Sequence, residues 1–388
     1  VPEVITTSAA LREACDRIRQ AGSFAFDTEF VMEDRFNPEV CLIQIAIDGF
    51  VALVDPFEVK ELGPVWDLVA DPAVEVVVHA GMEDLALCHN QGGRTPQNVF
   101  DCQIASGLVT TDYPLSLSRM ARHFVGVRLH KSQTLTDWRR RPLSPEQLRY
   151  AVEDVAYLPP VRRELGARLE RMGRVDWVTE EMAKFCTPQT YVREVVDQLT
   201  RLKGSGGLDA RGLAIAQELL KVREELAARF DRPPRAVVRD HLLIEIAKHG
   251  WTDPAEIKTL RGLNLRPQAI RQLGEAVQRA TESPPTHWPA PSPQDDETEQ
   301  EAALAQLVGA VVQGHCAAGN IAHQLVGTKK DFRTFIRAFV RQDGSAADLP
   351  LERGWRAASI GELLKRVLNG EARVRVGKEN GPLNVFVE

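Results

Sequence analysis

Four short stretches dense in Val, Ile, Leu and Phe punctuate the first part of the chain: SFAFDTEF from Ser23, CLIQIAI from Cys41, FVALVD from Phe50 and VEVVVH from Val74. Bounded by turn-type residues, such runs predict strands. From about Glu83 the apolar positions take helical spacing, and beyond Thr190 almost the whole chain reads as amphipathic helix broken by Gly and Pro. Three closely spaced strands followed by strands separated by helices predict a mixed sheet flanked by helices, an α/β domain. A second break is compositional: Ser283 to Glu301 holds five prolines followed by five acids, as an extended linker does. The expected layout is an α/β domain over 1–190, an all-α module over 203–282, a linker over 283–301 and a second all-α module over 302–388.

With 388 residues, the chain is long enough for two or three domains. Its 44% hydrophobic and 26% charged residues exclude wholesale disorder. No unbroken apolar run approaches the roughly 20 residues of a membrane span, so no membrane association is expected. The first residues lack the features of a secretory signal, and the six cysteines form no C-x-x-C pair, which together predict a cytoplasmic protein with reduced thiols. The net charge of −6 argues against a protein that coats nucleic acid through bulk charge. Local balance differs: from Arg119 to Arg149 there are eight basic residues and two acids, including Lys131, Arg139, Arg140 and Arg141 around Trp138. Lys203 to Arg279 carries a smaller surplus, 14 basic residues against 10 acidic. Such stretches suit phosphate backbones, although surface loops and helices show similar charge.

Candidate chemistry begins in FAFDTEF. Strand side chains alternate, so Asp27 and Glu29 share a face with Ala25, while Phe26, Thr28 and Phe30 take the other. Two adjacent carboxylates on an apolar strand repel each other and lose solvation, costs that a divalent cation with hard oxygen ligands offsets. Asp84 follows the Val74 strand in the first turn of a predicted helix, near a strand-end His79. A third piece starts at Ser144, where Ser144, Pro145 and Gln147 form a capping box and place Tyr150 and Asp154 on one helical face. Singly, each fits ordinary structure: a solvated strand end, an acid favoured by the helix dipole, a packed aromatic beside a surface acid. Together, four carboxylates from three segments fit a site for two cations about 3.5–4 Å apart.

The motifs D-T-E-F, H-A-G-x-E-D-L and Y-x-x-x-D, in this order, resemble the exonuclease motifs of the DEDD superfamily in its tyrosine-bearing branch. Within it, Lys131 to Leu158 resembles the ribonuclease D family nearly throughout. The segment from Leu208 through the TLRGL motif resembles the helical HRDC module, and IAHQLVGTKKDFRTFIRAF with ERGWRAASIGELLKRVL resembles a divergent second copy. The resemblance implies a ribonuclease H-like exonuclease domain followed by two small all-α HRDC-like domains. It also implies two divalent ions, Mg²⁺ or Mn²⁺, held by Asp27, Glu29, Asp84 and Asp154, with Tyr150 positioning the attacking water. The implied activity is 3′–5′ hydrolysis of RNA 3′ ends in tRNA precursors and small stable RNAs, releasing nucleoside 5′-monophosphates without a nucleotide cofactor, by a monomer. Lys131, Trp138, Arg139, Arg140 and Arg141 are the expected RNA contacts. A DNA exonuclease and an inactive nucleic-acid-binding scaffold are the competing readings; the second predicts a missing acid, and none is missing.

Overall fold

In a computed structural model of the chain, the described residues are 3–130, 136–192, 195–291, 297–341, 349–378 and 384–388. The first part runs β1 (Glu3–Ile5), α1 (Ser8–Ala21), β2 (Ser23–Val31), β3 (Glu39–Ile47), β4 (Phe50–Val54), α2 (Gly63–Val69), β5 (Glu75–Val78), α3 (Met82–Asn90), β6 (Val99–Asp101), α4 (Cys102–Gly107), α5 (Leu117–Val125), α6 (Pro145–Ala156), α7 (Leu158–Arg171) and α8 (Val175–Ala183). The six strands form one sheet in the order β1-β4-β3-β2-β5-β6. β3 pairs antiparallel with β4, whereas β1–β4, β2–β5 and β5–β6 are parallel, so the sheet is mixed as expected. The strands of three residues at its two edges, β1 and β6, are additions to the four the sequence predicts.

The sheet is a core element because its strands are apolar on both faces. Phe24, Phe26, Leu42, Ile43, Ile45 and Leu53 are all fully buried, each such side chain contributing about 1.5–3 kcal/mol relative to exposure. β2, which carries the first pair of acids, is internal to the sheet and therefore has a fixed course.

Two compact units are distinguished: one holds residues 1–28, 42–188 and 297–388, the other 29–41 and 189–296. The division falls within β2 and β3. The second unit contains α9 (Val195–Arg201), α10 (Ala210–Phe230), α11 (Pro234–Val237), α12 (Asp240–His249), α13 (Pro254–Lys258) and α14 (Pro267–Glu282). α10 packs against α12 and α14 around Leu219, Leu220, Leu243, Ile246, Leu273 and Val277. Arg223 is buried in this module, with its charge met by Asp240 at 2.7 Å.

The final segment comprises α15 (Glu299–Gly319), α16 (His323–Val326), α17 (Lys329–Arg341), α18 (Gly354–Arg356), α19 (Glu362–Leu368) and two strands, β7 (Val374–Gly377) and β8 (Asn384–Val387). The antiparallel β7–β8 pair corrects the all-α expectation for this module. β8 packs on α15 at Gly314, where a Cβ would stand 2.4 Å from the Val385 carbonyl, so only glycine permits the approach. The expected linker also ends earlier than composition suggests. Thr298 caps α15 in a capping box with Glu301, which is buried and pairs with Arg341 at 3.3 Å. By length and composition α15 is apolar enough to cross a membrane. A search for an unbroken run overlooks it because Gln306, Gln313 and His315 interrupt the apolar sequence. In the structure α15 packs against α17 and β8.

Within the first unit, this segment joins the sheet domain through specific contacts. Arg174 donates to the carbonyls of Leu108 and Gly319, both at 2.6 Å. The Trp177 and Trp355 rings stack at 4.9 Å. Glu181 accepts from Trp355 Nε1 at 2.9 Å and from Arg356 at 2.7 Å. Burial opposes its charge, but the bonds from Arg356 and Trp355 hold the Glu181 carboxyl below its ordinary range.

Candidate active site

The alternation read in β2 places Asp27 and Glu29 two residues apart on an internal strand, both half-buried. α6 supplies the third element. Its start is fixed by Ser144 Oγ accepting from Gln147 N at 3.2 Å and Gln147 Oε1 accepting from Ser144 N at 2.9 Å. That start sets Tyr150 and Asp154 one turn apart on the same face. Asp27, Glu29 and Asp154 converge: each offers a carboxylate oxygen, and the three oxygens lie within 4.8 Å of one another.

Asp84 is not one of these three, although its charge acts on Asp154. It is tied instead to the residue between the first two acids. Asp84 Oδ1 accepts from the Thr28 backbone N–H at 3.0 Å and from the Thr28 hydroxyl. The turn before α3 is held by Asp101, whose carboxylate accepts from Ala80 N at 3.2 Å and Gly81 N at 3.1 Å while capping α4 through Gln103 N at 2.8 Å. Ala80 has φ 56°, a conformation costly for a non-glycine residue, and Asp101 helps to hold it. Gly81 is required by contact, since a Cβ there would lie 2.5 Å from Val78 Cβ. Thr28 and Asp101 are the residues sequence reading missed. An acid directly after a strand and before a helix is a cap signal for Asp101, whereas nothing local marks Thr28 as the anchor of Asp84.

The electrostatics suit a cation. Burial pushes the Asp84 carboxyl up to about 6, against the Thr28 hydrogen bonds that lower it. Burial likewise raises Asp154 to about 7, with the charges of Glu153 and Asp84 adding and the Tyr150 hydroxyl bond opposing. Asp154 Oδ2 is buried without a hydrogen-bond partner among the described residues. A buried, partnerless carboxylate oxygen facing other acids is costly unless a positive charge meets it. A divalent cation with oxygen ligands therefore fits this set. His79 is not among the clustered ligands, and burial lowers its imidazole to about 4, which keeps it neutral.

A 3′-5′ exonuclease family model matches residues 2–170, and an HRDC domain model matches residues 212–280. The ribonuclease D of Acidiphilium cryptum is 32% identical over 95% of this chain and 93% of its own length. The chain belongs to the ribonuclease D family. The ribonuclease D of Bartonella henselae is 30% identical over 98% of the chain and 93% of its own length. Among solved structures, Escherichia coli RNase D, titled an exoribonuclease involved in structured RNA processing, is similar with a TM-score of 0.80 at 26% identity, over 95% of this chain and 99% of that one. The ribonuclease D family thus supplies a divalent-metal-dependent exonuclease fold for the acidic cluster.

Two of the expected RNA contacts, Trp138 and Arg141, are engaged within the fold. Trp138 is 5% exposed, and its ring packs 6.0 Å from that of Tyr150, so it has no open face for a base. Arg141 clamps Asp55 through two hydrogen bonds of 2.5 and 2.9 Å and also donates to the Trp138 carbonyl at 2.8 Å. Both residues build the segment that precedes α6. Arg140 is exposed and lies 3.3 Å from Asp137, and Arg139 is half-buried. Lys131 falls outside the described residues.

Proposed function

We propose that this chain, a hydrolytic 3′–5′ exoribonuclease of the ribonuclease D family, trims the 3′ ends of tRNA precursors and other small structured RNAs and releases nucleoside 5′-monophosphates. The observation that carries the reading is the convergence of Asp27, Glu29 and Asp154 from two separate elements, with Asp84 fastened to Thr28 between them. In this proposal these four acids hold two divalent cations, Mg²⁺ or Mn²⁺. Cations bound there would lower the pKa of water and stabilise negative charge on the departing oxygen.

The chain's own groups have separate tasks. Asp154 accepts from the Tyr150 hydroxyl, which fixes the phenol one turn from a ligand, in a position to orient the attacking water. The Trp138 ring beside Tyr150 limits the movement of that phenol. Arg139, Arg140 and Lys131 are the proposed phosphate contacts of the adjoining basic stretch. We assign 1–190 to the exonuclease domain, 203–282 to the HRDC domain, 283–297 to a linker that stops at the Thr298 cap of α15, and 298–388 to a divergent HRDC-like module carrying its own strand pair. The six cysteines are free thiols, in keeping with a cytoplasmic monomer.

A time course on end-labelled RNAs with single-stranded, hairpin and tRNA-like 3′ ends, each with a matched DNA, tests the reading. Stepwise release of 5′-mononucleotides from RNA in Mg²⁺ or Mn²⁺, stopped by EDTA, is expected. Equal action on DNA, or no metal dependence, refutes it.

A further inference from the structure

The His130 side chain is 67% exposed, yet the residue is held at two points. Its backbone N–H donates to Glu153 Oε2 at 2.8 Å, and its ring Nδ1 donates to Glu153 Oε1. Glu153, whose side chain is only 14% exposed, lies in α6 directly before Asp154 and three residues after Tyr150. Residues three apart are neighbours on a helix surface, so the imidazole is anchored at the edge of the candidate active site. An acid at this position has a cost, because its charge helps to raise Asp154. Both of its oxygens are committed to His130.

The anchor dictates what the ring can recognise. A carboxylate only accepts, so Nδ1 carries a proton and Nε2 is the nitrogen left to meet a ligand. In the neutral ring Nε2 presents a lone pair, and in the imidazolium it presents an N–H. A phosphate oxygen, an acceptor only, bonds the second form alone, whereas a hydroxyl both donates and accepts and so bonds either. A 3′ end held with its last phosphodiester at the acids brings its terminal sugar to the same edge of the site. The sugar hydroxyl that separates RNA from DNA is the 2′-OH. We propose that His130, oriented by Glu153, bonds the 2′-hydroxyl of the 3′-terminal ribose and thereby makes this exonuclease prefer RNA. The inference rests on the chain acting on RNA 3′ ends; it makes His130 a specificity-determining residue and Glu153 its positioning residue.

The test measures kcat/KM in Mg²⁺ for release of the first nucleotide from 5′-labelled single-stranded RNAs that differ only in the last sugar: ribose, 2′-deoxyribose or 3′-deoxyribose. The full-length wild-type chain is expected to prefer the ribose end over the 2′-deoxy end about tenfold, the contribution of one hydrogen bond. His130→Ala is expected to lower hydrolysis of the ribose end by that factor, so that the ribose and 2′-deoxy ends are cut at one rate. Glu153→Ala is expected to shrink the same ratio, in which any accompanying change at Asp154 acts on both ends alike and cancels. A His130→Ala chain that keeps the preference, or one that loses the preference over the 3′-deoxy end instead, would overturn the assignment. Absent hydrolysis of the ribose end by the wild type removes the exoribonuclease reading and this assignment with it. Full hydrolysis by the wild type at equal rates on the ribose and 2′-deoxy ends removes the assignment alone.

Discussion

Thr28 holds Asp84 with both its backbone N–H and its hydroxyl, bonding a single carboxylate oxygen. The residue between two candidate ligands therefore sets the position of a third. Replacing it with valine keeps the shape and the backbone bond but removes the hydroxyl. Because that bond lowers a carboxyl already raised to about 6, Thr28→Val is expected to push Asp84 higher. The acid limb of the pH–rate profile should then move to higher pH, as shown by kcat/KM measured in Mg²⁺ across pH 5–8. An unmoved limb would show that Asp84 does not titrate in the activity.

The raised acids also set a pH dependence of stability without metal. Asp84 and Asp154 have ordinary values of 3.8 and stand at about 6 and about 7 in the folded protein. A carboxyl raised on folding stabilises the protein below its ordinary value, and that contribution is lost as pH rises through the folded value. In EDTA, the Tm of Asp154→Asn should therefore match wild type near pH 4 and exceed it increasingly toward pH 8. Saturating Mg²⁺ should reverse the order at pH 8, since only wild type keeps the full ligand set. Parallel Tm curves in EDTA would contradict this account.

Tyr150 lies one helical turn from Asp154 and hydrogen-bonds to it. Tyr150→Phe preserves the ring packing against Trp138 while deleting the hydroxyl. Single-turnover hydrolysis is expected to slow about a hundredfold, with RNA affinity and Tm near wild type. A fall in affinity with unchanged turnover would assign the phenol to binding instead.

Arg141, expected from sequence to contact RNA, is paired with Asp55 in the fold. Its bidentate clamp holds an Asp55 side chain that is only 8% exposed. Arg141→Ala leaves that acid buried and unpaired, at a cost of about 3 kcal/mol, readable in urea unfolding. RNA affinity below the unfolding range is expected to stay near wild type, and a selective loss of affinity would restore the earlier assignment.

How legible the site was follows from the range of the interactions involved. The β2 alternation and the α6 cap are local signals, and they correctly brought Asp27, Glu29 and Asp154 onto faces that meet. β1 and β6 were missed because a strand of three residues has almost no periodicity and owes its form to the neighbour it pairs with. β7 and β8 were obscured by the polar residues between and within them. Arg141 and Trp138 looked like binding residues because charge and aromaticity are visible in a sequence, while Asp55, 86 positions away, is not visible as a partner.

The Ser144–Gln147 box has a consequence for how this enzyme can change over time. Each residue of an α-helix advances the azimuth by about 100°, so inserting or deleting one position between Gln147 and Tyr150 would turn both phenol and carboxylate away from β2. Upstream of Ser144 the chain can vary in length without altering that bearing, because the cap resets the count. Length polymorphism among descendants of this sequence should therefore collect before the cap and stop abruptly at it.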